Sequence, residues 1–216
     1  MTQLLAPLYG LVLAGGASRR MGQDKAALAL HGRPQLDWAY DTLAQHCQRV
    51  FVSIRADQQD DPVRQGRPVI VDVHDGTGPI AGIAAAQAAH PDSAWLVLAC
   101  DLPFVDDAAI SHLISRRDGR LVVAYASSHD GLPEPLCAIY EPDSRAGVLS
   151  ALASGRNCPR KFIIGTGVGL LEQPDPTALG PAASGRYTGN LEGDRLVFTP
   201  KEPRPGEAAL EFVRIV

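Results

Sequence analysis

Short apolar runs alternate with segments of amphipathic spacing for most of the chain, and this alternation predicts its architecture. Tyr9–Leu13, Arg49–Ile54, Val69–Val73, Trp95–Ala99, Leu121–Ala126 and Leu136–Tyr140 are apolar or β-branched runs of strand length. Between them, Gln35–Cys47 sets Leu36, Tyr40, Leu43 and Cys47 at helical spacing. An alanine-rich helix is expected over Ile83–Ala89, stopped by Pro91. A further helix carries Ile110, Leu113 and Ile114 behind Asp106 or Asp107 as its cap, and another spans Ser144–Ala153, closed by Gly155. Lys161–Ile164 reads as a last core strand. Strands alternating with helices predict an α/β fold with a mostly parallel, three-layer sheet.

Elsewhere the periodicity fades. Ala26–Leu30 reads as a short extended piece, and His31–Pro34 as a turn. The polar residues 57–67, 74–82 and 127–133 read as loops. Residues 165–190, rich in Gly, Pro, Ala and Thr, should be mostly loop, with strands at Leu196–Thr199 and Leu210–Val216 beyond. The expected organisation is a core over 1–165 and a divergent tail over 166–216, packed on it or appended to it.

Composition narrows the function classes. The 216 residues are 45% hydrophobic and 20% charged, enough to bury a full core. A net charge of −4 provides no global basic field, so neither nucleic acid nor an anionic membrane is the expected partner. No apolar run approaches the roughly 20 residues that span a bilayer, and the first ten residues lack the pattern of a signal peptide. Cys47, Cys100, Cys137 and Cys158 form no C-x-x-C pair and no zinc spacing with histidine. A cytoplasmic setting is the expectation.

The chemistry concentrates where the first strand ends. Leu13-Ala14-Gly15-Gly16 is followed by Ser18-Arg19-Arg20-Met21-Gly22 and Asp24-Lys25. A glycine-rich turn after a buried strand lets backbone N–H groups converge on an anion, and Arg19, Arg20 and Lys25 add positive charge there. No Gly-Lys-Ser/Thr closes the turn, and glycines at 15, 16 and 22 do not make the dinucleotide fingerprint. The alternative is a surface turn with a basic tip. Asp72 and Asp101 stand at the ends of two further strands, where ligands bind in sheets of this kind. Taken singly, each also reads as an ordinary strand-end polar residue.

This loop resembles the signature of the molybdenum cofactor guanylyltransferases, which share a Rossmann-like, glycosyltransferase-A-like fold of nucleotide-diphospho-sugar transferases. The resemblance spans about residues 8–165. It implies a cytoplasmic nucleotidyltransferase that moves GMP from GTP to the phosphate of molybdopterin, with Mg²⁺ as cofactor and molybdoenzyme maturation proteins as partners. By the same resemblance, Leu13, Ala14, Gly15, Gly16, Gly22 and Lys25 bind the nucleotide, and Arg20, Lys25 and Asp101 are catalytic. Asp101, in Cys100-Asp101-Leu102-Pro103, also holds the metal, and Asp72 contacts the nucleotide. Gly78, Pro79 and Gly82, in Gly78-Pro79-Ile80-Ala81-Gly82, sit by the guanine. Ala14-Gly15-Gly16 follows the guanylyl branch, whereas the cytidylyl branch tends to carry Ala-Ala-Gly. Pro133-Glu134-Pro135-Leu136-Cys137 resembles the acceptor side of the pocket, and Arg160 and Lys161 are candidates for the pterin's phosphate or an ordinary solvated pair.

The chain departs from the family in two places. The Asn-x-Asn-Thr-Pro that relatives carry near the end is absent, and Asn190 is the only asparagine past Asn157. Ser53 stands where relatives often have Asn. A transferase using CTP or a sugar phosphate, and a nucleotide-binding module with impaired turnover, are the alternatives.

Overall fold

The computed structural model describes residues 5–16, 24–30, 33–72, 77–127, 130–166, 168–174, 187–192, 195–200 and 210–214. The strands, in chain order, are β1 (Leu8–Leu13), β2 (Leu28–Leu30), β3 (Arg33–Pro34), β4 (Arg49–Arg55), β5 (Val69–Asp72) and β6 (Ala94–Ala99). They continue with β7 (Val122–Ala126), β8 (Pro133–Tyr140), β9 (Gly169–Leu171), β10 (Tyr187–Glu192), β11 (Arg195–Pro200) and β12 (Leu210–Arg214). The α-helices are α1 (Gln35–Ala44), α2 (Pro79–Ala89), α3 (Asp107–Ser115), α4 (Arg145–Ala153) and α5 (Pro159–Ile164).

Seven strands form the main sheet in the order β5-β4-β1-β6-β8-β7-β9. β1 runs parallel to β4 and β6, β4 to β5, and β7 to β9, while β8 is antiparallel to both β6 and β7. The mostly parallel sheet is therefore as expected. Every residue of β6 (AWLVLA) is buried, the behaviour of a central strand covered on both faces.

Two apolar clusters flank the sheet. One joins Leu8, Val12, Leu96 and Leu98 to Leu36 and Leu43 of α1 and to Ile110 and Leu113 of α3. The other joins Leu11, Trp95 and Val97 to Ile80 and Ile83 of α2, Val148 of α4 and Ile163 of α5. Alternate residues of each strand feed opposite clusters, which makes three layers.

The structure departs from the sequence reading at several elements. Residues 159–164 form helix α5 rather than a strand. Pro159 occupies its first turn, where the missing N–H costs nothing, and Phe162 packs over Gly147 of α4. Six residues are too few for the apolar period to separate helix from strand. α2 begins at Pro79, four residues before the alanine run, because Gly78 caps it at a φ of 75°. β8 begins at Pro133, within the segment read as a turn.

Past residue 165, β9 pairs with β7 at the sheet edge, inside the stretch expected to be mostly loop, and β10 begins within it. β10, β11 and β12 form an antiparallel set, and β12 pairs with β2 through Val213 and Ala29. A second, five-stranded sheet of order β10-β11-β12-β2-β3 results. The last strands of the chain thus join the segment that follows Lys25.

Candidate functional site

β1 lies at the turning point of the main sheet. The chain passes from β1 to β4 and β5 on one side, then returns to β6 on the other. Ligands bind in the crevice at such a reversal, beyond the carboxyl ends of the strands. Leu13 is in register with Ser53 of β4 and with Ala99 of β6. Two backbone bonds extend these ladders into the loop: Ala14 N–H donates to the Ser53 carbonyl at 3.1 Å, and Cys100 N–H donates to the Leu13 carbonyl at 3.3 Å.

Asp101 therefore emerges one strand from the loop entry, about 5 Å across the sheet, and Asp72 two strands away on the opposite flank, about 10 Å. Asp72 ends β5 opposite Arg55 of β4. Asp101 is half-buried just past β6. Leu13, Ala14, Gly15, Gly16, Asp72 and Asp101 are thus brought to one edge.

Two arginines that the sequence reading passed over hold the loop from behind. Arg64 lies in the polar segment 57–67, yet its side chain is only 1% exposed. Its guanidinium donates to the Ala14 carbonyl at 2.6 Å and to both carboxylate oxygens of Asp24, at 2.5 and 3.0 Å. It also pairs with Asp61. Burial disfavours the Arg64 charge, but the hydrogen bond and charge of Asp24 and the charge of Asp61 lift its pKa above the usual arginine value. Arg55 donates to the Gly15 carbonyl at 2.6 Å and pairs with Asp57 at 2.9 Å. Asp24 in turn accepts from Ala26 N–H at 3.0 Å, capping the 3₁₀ turn Lys25–Ala27. Nothing in the local pattern Asp60-Asp61-Pro62-Val63-Arg64-Gln65 marks Arg64 as buried.

The glycines divide by role. Among the described residues a Cβ on Gly16 would meet nothing, and one on Gly15 would make only ordinary contacts with Arg55 and Ile54. Packing among the described residues therefore does not demand glycine at either position. Gly78 adopts a positive φ that disfavours side chains, and its carbonyl accepts from Ala81 N–H at 3.1 Å. Pro79 is the first residue of α2. Gly82 is buried where α2 crosses the strand ends, and an added Cβ would collide with Ser53 Oγ and come within 3.1 Å of Leu13. Gly82→Ala is expected to cost about 1–3 kcal/mol of stability by overpacking, read as a lower urea midpoint at unchanged m-value.

Glu134 starts β8 on the same edge, because β8 runs antiparallel to β6. It is buried, and burial pushes its carboxyl above the usual range against the opposing pull of Arg160. Arg160 reaches Glu134 at 3.1 Å and Asp130 at 3.3 Å, so this candidate for the acceptor phosphate is engaged with two carboxylates. Lys161 is exposed.

Ser18, Arg19, Arg20, Met21 and Gly22 lie outside the described residues, as do His74, Asp75 and Gly76. Lys25 opens the 3₁₀ turn, and its side chain is likewise outside them. The side chain of Asn190, in β10, is not described either. Cys100 and Cys137 are buried free thiols, the latter pushed up to about 12 by burial; Cys47 is partly buried and Cys158 exposed. Among the described residues no cluster of three or more His, Cys, Asp or Glu could hold a metal by itself. A divalent ion shared between one carboxylate, water and phosphate oxygens needs no such cluster, and Asp101 fits that donor set. No helix among the described residues is long and apolar enough to cross a membrane.

The MobA-like NTP transferase domain matches residues 10–174. A probable molybdenum cofactor guanylyltransferase of Opitutus terrae is 37% identical over 76% of this chain and 81% of its own length. The molybdenum cofactor biosynthesis bifunctional protein of Synechocystis is 38% identical over 73% of this chain, which spans 46% of that protein. Among solved structures, molybdopterin-guanine dinucleotide biosynthesis protein A of Archaeoglobus fulgidus superposes with a TM-score of 0.64 at 26% identity, over 76% of this chain and 83% of that one.

Proposed function

Because the chain belongs to the MobA-like NTP transferase family, we propose that it is a nucleotidyltransferase that moves GMP from GTP to the terminal phosphate of molybdopterin, releasing pyrophosphate. The observation that carries this reading is the loop entry Ala14–Gly16 set between strand ends bearing Asp72 and Asp101. An anion-binding turn flanked by two carboxylates suits a triphosphate with its metal on one side and its nucleoside on the other.

The attacking phosphate is ionised near neutral pH, so no general base is needed, and the task of the protein is positioning and charge stabilisation. The N–H groups of the loop, Arg20 and Lys25 hold the β- and γ-phosphates and stabilise the leaving pyrophosphate. Asp101 would hold Mg²⁺, which when bound would supply positive charge for the phosphate oxygens. Asp72 and the backbone of Gly78–Gly82 place the nucleoside. Glu134 and its neighbours line the acceptor side.

Base preference tests the reading. GTP is expected to bind at least about tenfold more tightly than CTP or ATP, because polar groups matched to the edges of guanine are left unpaired by another base. Titrating each nucleotide with Mg²⁺, followed by pyrophosphate release from GTP with and without the molybdenum-loaded pterin, measures it. Equal curves for GTP and CTP would move the assignment to the cytidylyl branch. GTP binding without turnover would make the chain a binding module.

A further inference from the structure

Arg64 contacts both ends of the phosphate loop at once, at Ala14 and at Asp24, positions that bracket Gly15, Gly16, Arg19, Arg20 and Gly22, with Lys25 next in the chain. Its own segment carries no chemistry that the proposed reaction uses. We propose that Arg64, seconded by Arg55, is a positioning residue that presets the loop for a triphosphate. The inference rests on the nucleotidyltransferase reading for its substrate, and on the geometry for its mechanism.

Peptide planarity supplies that mechanism. In a trans peptide the C=O and the following N–H point in opposite directions. Arg64 draws the Ala14 carbonyl to itself, so the Gly15 N–H is turned away from the guanidinium. Arg55 does the same to the Gly15 carbonyl, which turns the Gly16 N–H away from Arg55. The carbonyl dipoles that would repel a phosphate are engaged by cations, and the N–H groups that attract it are left facing the other way.

The far end of the loop is set by the same side chain. Arg64 grips both oxygens of Asp24, and Asp24 caps the turn that begins at Lys25. The pairing also offsets part of the negative charge of Asp24, a carboxylate one residue from the lysine that meets the triphosphate. Asp61 pairs with Arg64 from its own side. A guanidinium serves all three partners because its donors form a planar fork; a lysine ammonium at the end of a flexible stem cannot reproduce that geometry.

Arg64→Lys, which keeps the charge in place, tests the proposal, with Mg²⁺-tripolyphosphate, GTP and GMP as probes. The expected result is a folded protein whose affinity for tripolyphosphate and GTP falls roughly tenfold or more while its affinity for GMP is unchanged. In turnover, the KM for GTP rises and the KM for the acceptor stays. Combined with Lys25→Ala, the losses should be less than additive, because both act through one loop. Should Arg64→Lys not fold, Asp24→Asn carries the same test, since its amide oxygen still accepts from Ala26 N–H but the charge that Arg64 grips is gone. A folded variant with wild-type tripolyphosphate affinity overturns the proposal, as does an equal loss for GMP, which would mean general damage to the pocket. Wild-type protein that takes tripolyphosphate but shows no preference for GTP would overturn the guanylyl reading while the clamp stands, and protein that takes neither would overturn both.

Discussion

Asp101→Asn is expected to fold as the wild type does and to lose Mg²⁺-dependent turnover by roughly 100-fold or more. The substitution keeps the shape of the side chain and removes only its charge. Asp101 stands just beyond a fully buried strand, one strand from the loop, so the backbone that carries it has no freedom to compensate. Mg²⁺ bound through one carboxylate and substrate phosphates depends heavily on that carboxylate, and no Asn-x-Asn-Thr-Pro segment occurs in this chain. Steady-state turnover across a Mg²⁺ titration, alongside a thermal melt, is the measurement. Asn190→Ala serves as comparison and is expected to have a small effect. Full activity in Asp101→Asn, or a larger loss in Asn190→Ala, would place the metal elsewhere.

Lys25→Ala is expected to weaken GTP binding by about 10- to 100-fold, the size of a lost charge-assisted hydrogen bond in a preset anion site. Lys25 opens the 3₁₀ turn capped by Asp24, with its backbone held to the sheet through Arg64. The backbone turn does not need the lysine side chain, so the melting temperature should hold. Isothermal titration with GTP and with GMP separates the two ends of the nucleotide. GMP affinity should change little, because the β- and γ-phosphates are absent. A variant that binds GTP as the wild type does would remove Lys25 from the site.

Much of this molecule was legible in the chain. β1, β4, β5, β6 and β7 fall on apolar runs, and β8 does from Leu136 on; β6 is the clearest, because a strand covered on both faces needs near-continuous hydrophobicity. α1 and α3 showed in their spacing, and Asp106 caps α3 through Ala109 N–H, one of the two residues proposed for that role. Gly15, Gly16, Asp72 and Asp101 were visible as candidates because each lies at or just past the end of a strand, and parallel strands deliver their carboxyl ends to one edge. The family match over residues 10–174 includes the loop that carries the resemblance.

Tertiary structure decided what depends on distant partners. Residues 159–164 became a helix because Pro159 starts one and Phe162 found Gly147, a contact invisible to a six-residue pattern. Gly82 is required by Ser53 and Leu13 across the helix–sheet interface, a reason distinct from its place in the Gly-Pro-Ile-Ala-Gly segment. Arg64 looked like one more charge in a polar loop. Its burial against Ala14 and Asp24, 50 and 40 residues away, exists only once the main sheet has formed. Local sequence sets which residues prefer strand, helix or turn and which side chains carry charge, because those preferences act within a few residues. Which charge is buried, and which carbonyl it holds, follows from pairings the chain makes only when it is folded.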